Sequence, residues 1–390
     1  MLLKAFKNRS LVLVFATQFL SLLSGQIANA VIVLFALELN ASLVEVASIS
    51  LISGILNAVL HIPFGILGDK YGRKLQILYP AIAQMLANIT RGLSTEPLHL
   101  ILASLFGGTG VATPGFVAIV GDLTDASERP DAYGAFYVCN SAGILIGPIV
   151  AGLLLLMVPL RIVYFLVAGL NFITVIFVLL LKVPKGEKTN NGYLTNVTTV
   201  LKKKNMLIAI LMRLAQGFFD RVRKTYIPIL ASTQLHLPNA LIASLGTPEG
   251  LSTLLVRLFI GKLLRKMTAK RLVLLTFSAE VAIGLLLPFA TNFPHLVILA
   301  LVAGVSHGIN NPTSALLVAD VSTGADRGFA NSALYLASSC GSLAPMIAIA
   351  AATAWGLTSV FPIATILPAA TILIVTKLME PLSTEQRKSS

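Results

Sequence analysis

Five polar side chains share one face of a predicted helix within the apolar segment 206–232. At about 3.6 residues per turn they fall within an arc of roughly 100°. Ionisable groups are costly inside a membrane, so they face a watery cavity or one another, and they are functional by default. The face predicts a binding surface for a polar solute, or an ion-pair network that only fixes helix packing. The members of this face, which we call the ionisable face, are Arg213, Gln216, Asp220, Arg223 and Lys224.

Two more ionisable residues lie inside later apolar segments. Glu249 lies in the segment 240–264, at about the depth of Lys224 if the two segments run in opposite directions. A carboxyl group in a half-dry site beside movable cations can change its protonation with conformation. Glu249 is therefore the first candidate for reversible proton binding, and Asp220 is the second. His307 is either a proton carrier or a hydrogen-bonded packing residue.

The composition that surrounds these residues indicates a polytopic membrane protein. Of 390 residues, 56% are hydrophobic and only 12% are charged, whereas a water-soluble domain has about 25% charged residues. The apolar runs are about twenty residues long, enough to cross a hydrocarbon core of about 30 Å as helices. Loop brevity favours a prokaryotic plasma membrane.

The net charge of +13 has a topological explanation. Most Lys and Arg residues fall in loops and tails that face the cytoplasm if the N-terminus and C-terminus are both inside. This distribution follows the positive-inside rule, so nucleic acid is not expected as a partner. Cys139 and Cys340 both lie in apolar segments and are interpreted as packing residues. We expect no metal and no cofactor. The expected partners are the lipid bilayer, protons and a small-molecule substrate, and the protein is expected to be a monomer.

Hydrophobic periodicity predicts an all-α protein with twelve membrane-spanning helices. A polar, basic segment divides the chain into an N-terminal six-helix bundle over 1–183, a cytoplasmic linker over 184–205 and a C-terminal six-helix bundle over 206–390. The predicted spans are 11–37, 44–66, 75–93, 98–120, 132–157, 160–182, 206–232, 240–264, 271–290, 294–318, 328–352 and 357–378.

The two halves repeat one another. Several uncommon residues recur at a nearly constant offset, which predicts two similar bundles related by a pseudo-two-fold axis, with any central site between them. Gly65, Leu67 and Lys74 recur as Gly261, Leu263 and Lys270, and Gly110, Pro114, Asp122, Arg129 and Gly143 recur as Gly308, Pro312, Asp320, Arg327 and Gly341.

The charged turn between spans two and three carries a family signature. Residues 65–74 read Gly-Ile-Leu-Gly-Asp-Lys-Tyr-Gly-Arg-Lys and match the pattern G-x-L-x-D-[KR]-x-G-R-[KR] of the major facilitator superfamily. With the repeat and the basic linker, the whole chain resembles a transporter of that family. The resemblance implies two pseudo-symmetric bundles whose spans one, four, seven and ten line a cavity. Neutral cavity residues would be Gln18, Asn29, Thr113 and Asn310, with Asn311 beside the last.

The same turn has two interpretations. It could be a solvated loop that obeys the positive-inside rule, or a cytoplasmic latch that biases a conformational equilibrium. In the family the acid of this turn meets the N-terminal end of span eleven, and its arginine pairs with an acid at the end of span four. The latch residues here would be Gly65, Asp69, Gly72, Arg73, Asp122 and Arg129.

Span five contains a second motif, Gly143-x-x-x-Gly147-Pro148-x-x-Ala151-Gly152. Small residues four apart favour close helix packing, and proline favours a kink. The motif also resembles the signature of antiporters, notably drug:proton exporters, although Ala151 replaces a glycine. It therefore favours export over import.

Three functions follow from these residues. The first is proton-coupled export of a small organic molecule, anionic or zwitterionic because Arg213, Arg223 and Lys224 outnumber Asp220 on the ionisable face. The second is uptake of an organic anion by proton symport or facilitated diffusion. The third is a lipid-handling or sensor protein with the same fold. No nucleophile, phosphate-binding loop or metal cluster is evident in the sequence, so an enzyme is not expected.

Overall fold

The computed structural model describes residues 9–106, 112–125, 128–183, 203–321 and 327–379. Throughout these ranges the regular secondary structure is helical. Clustering of contacts separates the chain into two compact units, residues 1–189 with 238–247 and residues 190–237 with 248–390. The predicted linker 184–205 lies almost wholly outside the described residues, and the predicted bundle boundaries stay a prediction.

The first unit contains eight α-helices among its described residues. They are α1 Arg9–Glu38, α2 Leu43–Tyr71, α3 Arg73–Leu93, α4 Pro97–Ala103, α5 Ala112–Asp122, α6 Arg129–Leu154, α7 Leu160–Leu180 and, from later in the chain, α9 Asn239–Ser244.

The second unit contains the remaining α-helices of the described ranges, together with short 3-10 turns. They are α8 Lys204–Thr233, α10 Gly246–Lys266 (whose first two residues group with the first unit), α11 Ala269–Leu286, α12 Phe293–Val321, α13 Arg327–Cys340, α14 Ala344–Trp355, α15 Val360–Ala364 and α16 Ile366–Leu378.

The predicted spans agree with this architecture in part. Among the described residues, eight helical segments are long and apolar enough to cross a membrane. They correspond to predicted spans one, two, five, six and nine to twelve. The other four predicted spans overlap α3, the pair α4 and α5, α8, and α10, which do not meet that standard of length and apolarity. In α8 the reason is its run of charged side chains.

The internal repeat appears as equivalent contacts within each unit. Lys74 Nζ, at the start of α3, donates to the carbonyl of Leu181 at the end of α7 at 3.0 Å. Lys270 Nζ, at the start of α11, donates to the carbonyl of Thr376 near the end of α16 at 2.7 Å. A lysine at a helix C-terminus neutralises unsatisfied carbonyl groups and their partial negative charge. The sequence repeat therefore corresponds to a structural repeat.

Close approach of backbones at glycine is a second shared feature. In the first unit α6 packs on α1, and a Cβ atom on Gly147 would lie 2.4 Å from the Cβ of Gln26. In the second unit Gly341, the equivalent of Gly143, meets α8, and a Cβ atom there would lie 2.3 Å from the carbonyl carbon of Gly217. The packing interpretation of the span-five motif fits these distances.

We expect Gly341→Ala to lower the free energy of unfolding by about 1–3 kcal/mol, because the added methyl group meets backbone that cannot rotate away. Gly25→Ala is the matched control, because no atom lies within 4 Å of a Cβ at this position of α1. The control should raise stability by up to about 1 kcal/mol through helix propensity. Thermal unfolding in detergent measures both effects, and equal midpoints for the two variants would contradict the prediction.

A buried polar network fixes helices of the first unit. Asn88 Nδ2 on α3 donates to Asn171 Oδ1 on α7 at 2.8 Å, and Asn171 Nδ2 donates to Ser24 Oγ on α1 at 2.8 Å. Arg91 Nη1 donates to Asn88 Oδ1 at 2.9 Å, and its guanidinium lies 5.9 Å from the ring centre of Tyr164. Arg91 is buried in the last turn of α3, within the predicted span 75–93.

Candidate functional site

An acid–base cluster of five side chains forms where α8, α10 and α12 meet within the second unit. The helix α8 supplies three members because residues three and four apart lie on one face. The helices α10 and α12 supply one member each. The cluster consists of Asp220, Arg223, Lys224, Glu249 and His307.

Arg223 joins the two acids of the cluster. Its Nη2 atom lies 2.8 Å from Glu249 Oε2 and 3.1 Å from Asp220 Oδ1. Its side chain is 5% exposed, so both bonds form away from water. Hydrogen bonds between charged partners are roughly twice as strong as neutral ones. Arg223 is therefore the residue that allows two carboxylates to lie side by side.

Lys224 and His307 contact the same two acids from other directions. Lys224 Nζ lies 3.5 Å from Glu249 Oε1 and 3.9 Å from Asp220 Oδ2. His307 Nδ1 lies 3.1 Å from Asp220 Oδ2 and 3.7 Å from Glu249 Oε1. Each acid thus has an arginine, a lysine and an imidazole within reach.

The five side chains of the cluster differ in their exposure to solvent. Arg223 is nearly inaccessible, the two acids and His307 are partly exposed, and the Lys224 side chain is 55% exposed. The second unit therefore does not seal the cluster, because one side of it is open. The open side is the one on which Lys224 and His307 lie.

The three ligand-type side chains of the cluster could also hold a metal ion. Asp220, Glu249 and His307 each offer one donor atom, and these atoms lie within 4.8 Å of one another. Two carboxylates and an imidazole suit a divalent transition metal. However, Arg223 and Lys224 already occupy the carboxylate oxygens, and a third cation would have to displace them. The arrangement suits proton exchange better than metal binding.

The rest of the ionisable face forms a separate polar group. Arg213 Nη1 donates to Asn311 Oδ1 on α12 and, at 3.4 Å, to Gln216 Oε1 on α8. The two halves of the predicted face therefore have different partners. Asp220, Arg223 and Lys224 belong to the acid–base cluster, and Arg213 and Gln216 belong to an arginine–amide group with Asn311.

The neutral residues predicted to line the cavity have different environments. Asn310 is buried in the interface of α12 with α11, where Nδ2 donates to Glu280 Oε1 and Oδ1 accepts from Thr276. Asn310 therefore faces α11, because one residue of helical rotation separates it from Asn311, and its predicted place in the cavity stays a prediction. On α1, Gln18 is buried in the first unit and Asn29 is exposed. The side chain of Thr113 lies outside those described.

Glu280 is an acid on α11 that lies outside the acid–base cluster. Its side chain is buried, and its Oε2 atom has no hydrogen-bond partner among the described residues. The hydrogen bond from Asn310 connects it to α12, the helix that carries His307. A carboxyl group in this position could be recognised in the sequence only as an isolated acid within an apolar run.

The predicted latch residues are described in part. Gly72 separates α2 from α3 with φ of +101°, a conformation that favours glycine. Arg73 Nε lies 3.1 Å from Asp122 Oδ2, which is the pairing expected from the sequence. Gly65 and Asp69 lie on α2 and Arg129 begins α6, and their side-chain environments are outside the described set. The role of these residues as a latch stays a prediction.

The span-five motif packs against α1, α9 and the first residue of α10. A Cβ atom on Gly143 would lie 3.0 Å from the Cβ of Leu22 on α1, and one on Gly152 would lie 2.9 Å from the carbonyl oxygen of Ala240 on α9. Pro148 lies inside α6, and its ring contacts Gly246 at the start of α10. The motif therefore serves close packing, and its connection with export stays a prediction.

An all-helical architecture, apolar segments of membrane-spanning length and a partly open cluster of intramembrane charges define a multi-pass membrane carrier. A family model described as Major Facilitator Superfamily matches residues 14–279 and 214–390. The chain belongs to this family. Membership of this family confirms the prediction that the chain is not an enzyme.

Curated relatives with similar sequences are bacterial multidrug resistance proteins. The chain is 25% identical over 258 residues to the multidrug resistance protein MdtG of Escherichia coli O17:K52:H18 (strain UMN026 / ExPEC). The aligned residues cover 63% of the chain and 62% of the relative. It is 27% identical over 271 residues to MdtG of Proteus mirabilis (strain HI4320), which covers 66% of each. The similarity thus spans somewhat less than two thirds of the relatives' length.

Solved structures of two transporters share the fold. The nucleoside transporter NupG superposes with a TM-score of 0.77 at 15% identity, covering 95% of this chain and 98% of that one. The POT family transporter PepTSo superposes with a TM-score of 0.76 at 13% identity, covering 94% of this chain and 96% of that one. At these identities the likeness concerns the fold alone.

Proposed function

We propose that this protein is a secondary active transporter that exports a small organic molecule, anionic or zwitterionic, in exchange for protons. It works as a monomer with twelve spans in two six-helix bundles that alternate their access to the two sides of the membrane. We place it in a bacterial inner membrane with both termini in the cytoplasm. The observation that carries the proposal is the acid–base cluster, in which two carboxylates share two cations and an imidazole.

The cluster can exchange a proton without a large change in structure. With both acids ionised, Asp220 and Glu249 balance Arg223 and Lys224. When Glu249 takes up a proton, Arg223 keeps Asp220 as a partner, and Lys224 is free to turn toward water. The reverse step releases the proton on the other side of the membrane. Binding of substrate and binding of the proton can then exclude one another, which is the requirement of antiport.

Other charged groups influence this exchange. His307 lies against both acids, and Arg213, Arg221 and Glu280 interact electrostatically with Asp220 over longer distances. A protonated His307 would add a third positive charge and favour ionised acids. The direction of transport is supported by the antiporter-like motif in span five and by the multidrug resistance relatives.

The proposal is tested in proteoliposomes that contain a pH-sensitive dye. A panel of organic solutes is added to vesicles with a proton gradient, and the protein should release protons from the gradient only when a transported solute is present. Collapse of the proton gradient with an ionophore should stop accumulation of the solute against its concentration gradient. Solute movement that persists unchanged after collapse would remove the coupling claim. Accumulation together with protons, rather than against them, would favour symport uptake.

A cytoplasmic latch is the second part of the proposal. The Arg73–Asp122 pair within the first unit would set the geometry of the charged turn, and Asp69 and Arg129 would complete the latch in one conformation of the transport cycle. Such a latch biases populations and does not contact substrate. The Asp122→Asn variant should therefore change the rate of transport and leave the affinity for the substrate within about twofold of the wild-type value, because population shifts of a few tenths of a kcal/mol are typical for exposed pairs.

A further inference from the structure

The arginine–amide group lies apart from the acid–base cluster. Arg213 and Asp220 are separated by seven residues on α8, which is about 10 Å along the axis at about 1.5 Å per residue. Arg213, Gln216 and Asn311 have no member in common with the five residues of the cluster. The group therefore needs its own chemical explanation.

Arg213 differs from Arg223 and Lys224 because no carboxylate among the described residues opposes its positive charge at ion-pair distance. The positive charges of Arg223 and Lys224 are opposed by Asp220 and Glu249 at ion-pair distance. Arg213 forms no ion pair with any carboxylate among the described residues, and its contacts are two neutral amide oxygens. A guanidinium that is largely removed from water has a strong preference for an anionic partner. The cationic surplus inferred from the sequence is thus located at Arg213 and not at Arg223 or Lys224.

Several N–H groups of Arg213 and Gln216 donate no hydrogen bond to a described residue. Arginine has five N–H groups, and the two contacts of Arg213 both come from Nη1, which leaves Nη2 and Nε without partners in the described ranges. Gln216 is 4% exposed, and its Nε2 atom is buried without a hydrogen-bond partner. The side chains of Arg213 and Gln216 lie on adjacent turns of one helix face. Both side chains therefore carry N–H donors that no described group uses.

We propose that Arg213 and Gln216 form an anion-binding subsite that holds the carboxylate of the transported molecule, with Asn311 orienting the guanidinium. Arginine matches a carboxylate with two parallel N–H···O bonds, and the Gln216 amide adds a third donor to one oxygen. Glu280 and the acid–base cluster are not part of this subsite. The inference deepens the proposed function and rests on it, because it names the chemical class of the substrate.

A binding assay without a proton gradient tests the subsite. The thermal unfolding midpoint of the purified protein is measured with a panel of aliphatic and aromatic monocarboxylates, each paired with its neutral amide, for example benzoate with benzamide. Carboxylates should raise the midpoint in a concentration-dependent way, and the matched amides should not. If no carboxylate stabilises the protein more than its amide, the subsite does not exist. That result would leave proton-coupled antiport standing, because the coupling is assigned to the acid–base cluster and not to this subsite.

Variants locate the binding. Arg213→Gln should weaken carboxylate binding by about tenfold or more, since hydrogen bonds to charged groups account for that range. Arg213→Lys should recover part of the affinity, because the charge returns without the planar fork. Gln216→Leu keeps the arginine and should weaken binding severalfold even if the Arg213 variants do not fold. Arg221→Gln removes a cation from the same helix outside the subsite, and its affinity should equal that of the wild type.

Two further outcomes would overturn the proposal. Equal losses of affinity in the Arg221 and Arg213 variants would mean that general positive charge attracts the anion. Displacement of the carboxylates by short-chain phosphatidylglycerol, but not by the uncharged lipid diacylglycerol, would assign the subsite to a lipid phosphate and not to a soluble substrate. The two proposals can fail separately, because the difference between carboxylate and amide binding tests this subsite without a proton gradient, whereas the loss of proton coupling in Glu249→Gln tests the proposed function.

Discussion

Replacing Arg223 with leucine is expected to destabilise the protein by about 3–5 kcal/mol and to abolish transport, because it leaves two partly buried carboxylates face to face. Arg223 makes the shortest ion pair of the cluster, 2.8 Å to Glu249, and bridges it to Asp220 at 3.1 Å. Without it, only Lys224 and His307 oppose the two negative charges, and Lys224 lies farther away at 3.5 Å and 3.9 Å.

The loss should show as a lower thermal unfolding midpoint in detergent and as a reduced yield of monodisperse protein. The control is the double variant Arg223→Leu with Glu249→Gln, which removes one of the two acids. It should recover a large part of the lost stability, because breaking a buried pair costs most through the charge that remains. If the double variant is as unstable as the single one, the arginine acts through packing of its aliphatic chain and not through the acids.

Sequence reasoning could identify the members of the cluster, because charged residues in apolar runs are rare. Counting residues from the ends of antiparallel spans placed Glu249 at about the depth of Lys224, and the structure brings Lys224 Nζ to 3.5 Å from Glu249 Oε1. The same reasoning treated His307 as a separate candidate. Its contact with both acids depends on the rotation and axial position of α12 against α8, which no local pattern encodes.

Rotation about a helix axis also explains why two adjacent asparagines of α12 have different partners. Asn310 and Asn311 are neighbours in sequence and differ by about 100° around the axis. Asn311 therefore contacts Arg213, whereas Asn310 points toward Glu280 on α11. A stripe on one helix can be read from its own spacing, as for α8. Polar side chains lie on more than one side of α12. The spacing of its residues therefore does not define the rotation of the helix about its axis, and packing sets that rotation.

The charge surplus on α8 was a similar case. Arg213, Arg223 and Lys224 outnumber Asp220 within that helix, but Glu249 comes from α10 and balances the group once the helices pack. Charge counted along one element thus overstated the positive potential near Asp220. Of these three cations, Arg213 alone has no carboxylate at ion-pair distance among the described residues, and this observation supports the anion subsite proposed above.

Replacing Glu249 with glutamine is expected to uncouple transport from the proton gradient. Glutamine has nearly the same shape and can still accept a hydrogen bond from Arg223 at Oε1, but it cannot bind or release a proton. Solute exchange across the membrane should therefore continue down a concentration gradient, and its rate should no longer respond to a pH difference. The measurement is solute-driven proton movement and solute counterflow in the same proteoliposomes.

Glu280→Gln is the matched control for this experiment. Both residues are glutamates of the second unit. Glu280 is buried, contacts the amide of Asn310 and forms no ion pair with the described residues, whereas Glu249 is partly exposed and contacts Arg223, Lys224 and His307. If coupling depends on the acid–base cluster, the Glu280 variant should retain gradient-driven transport and the Glu249 variant should lose it. The opposite result would place the coupling proton on α11. Loss in both variants would mean that the two carboxyl groups act in series through α12, and retention in both would leave Asp220 and His307 as the groups that carry the proton.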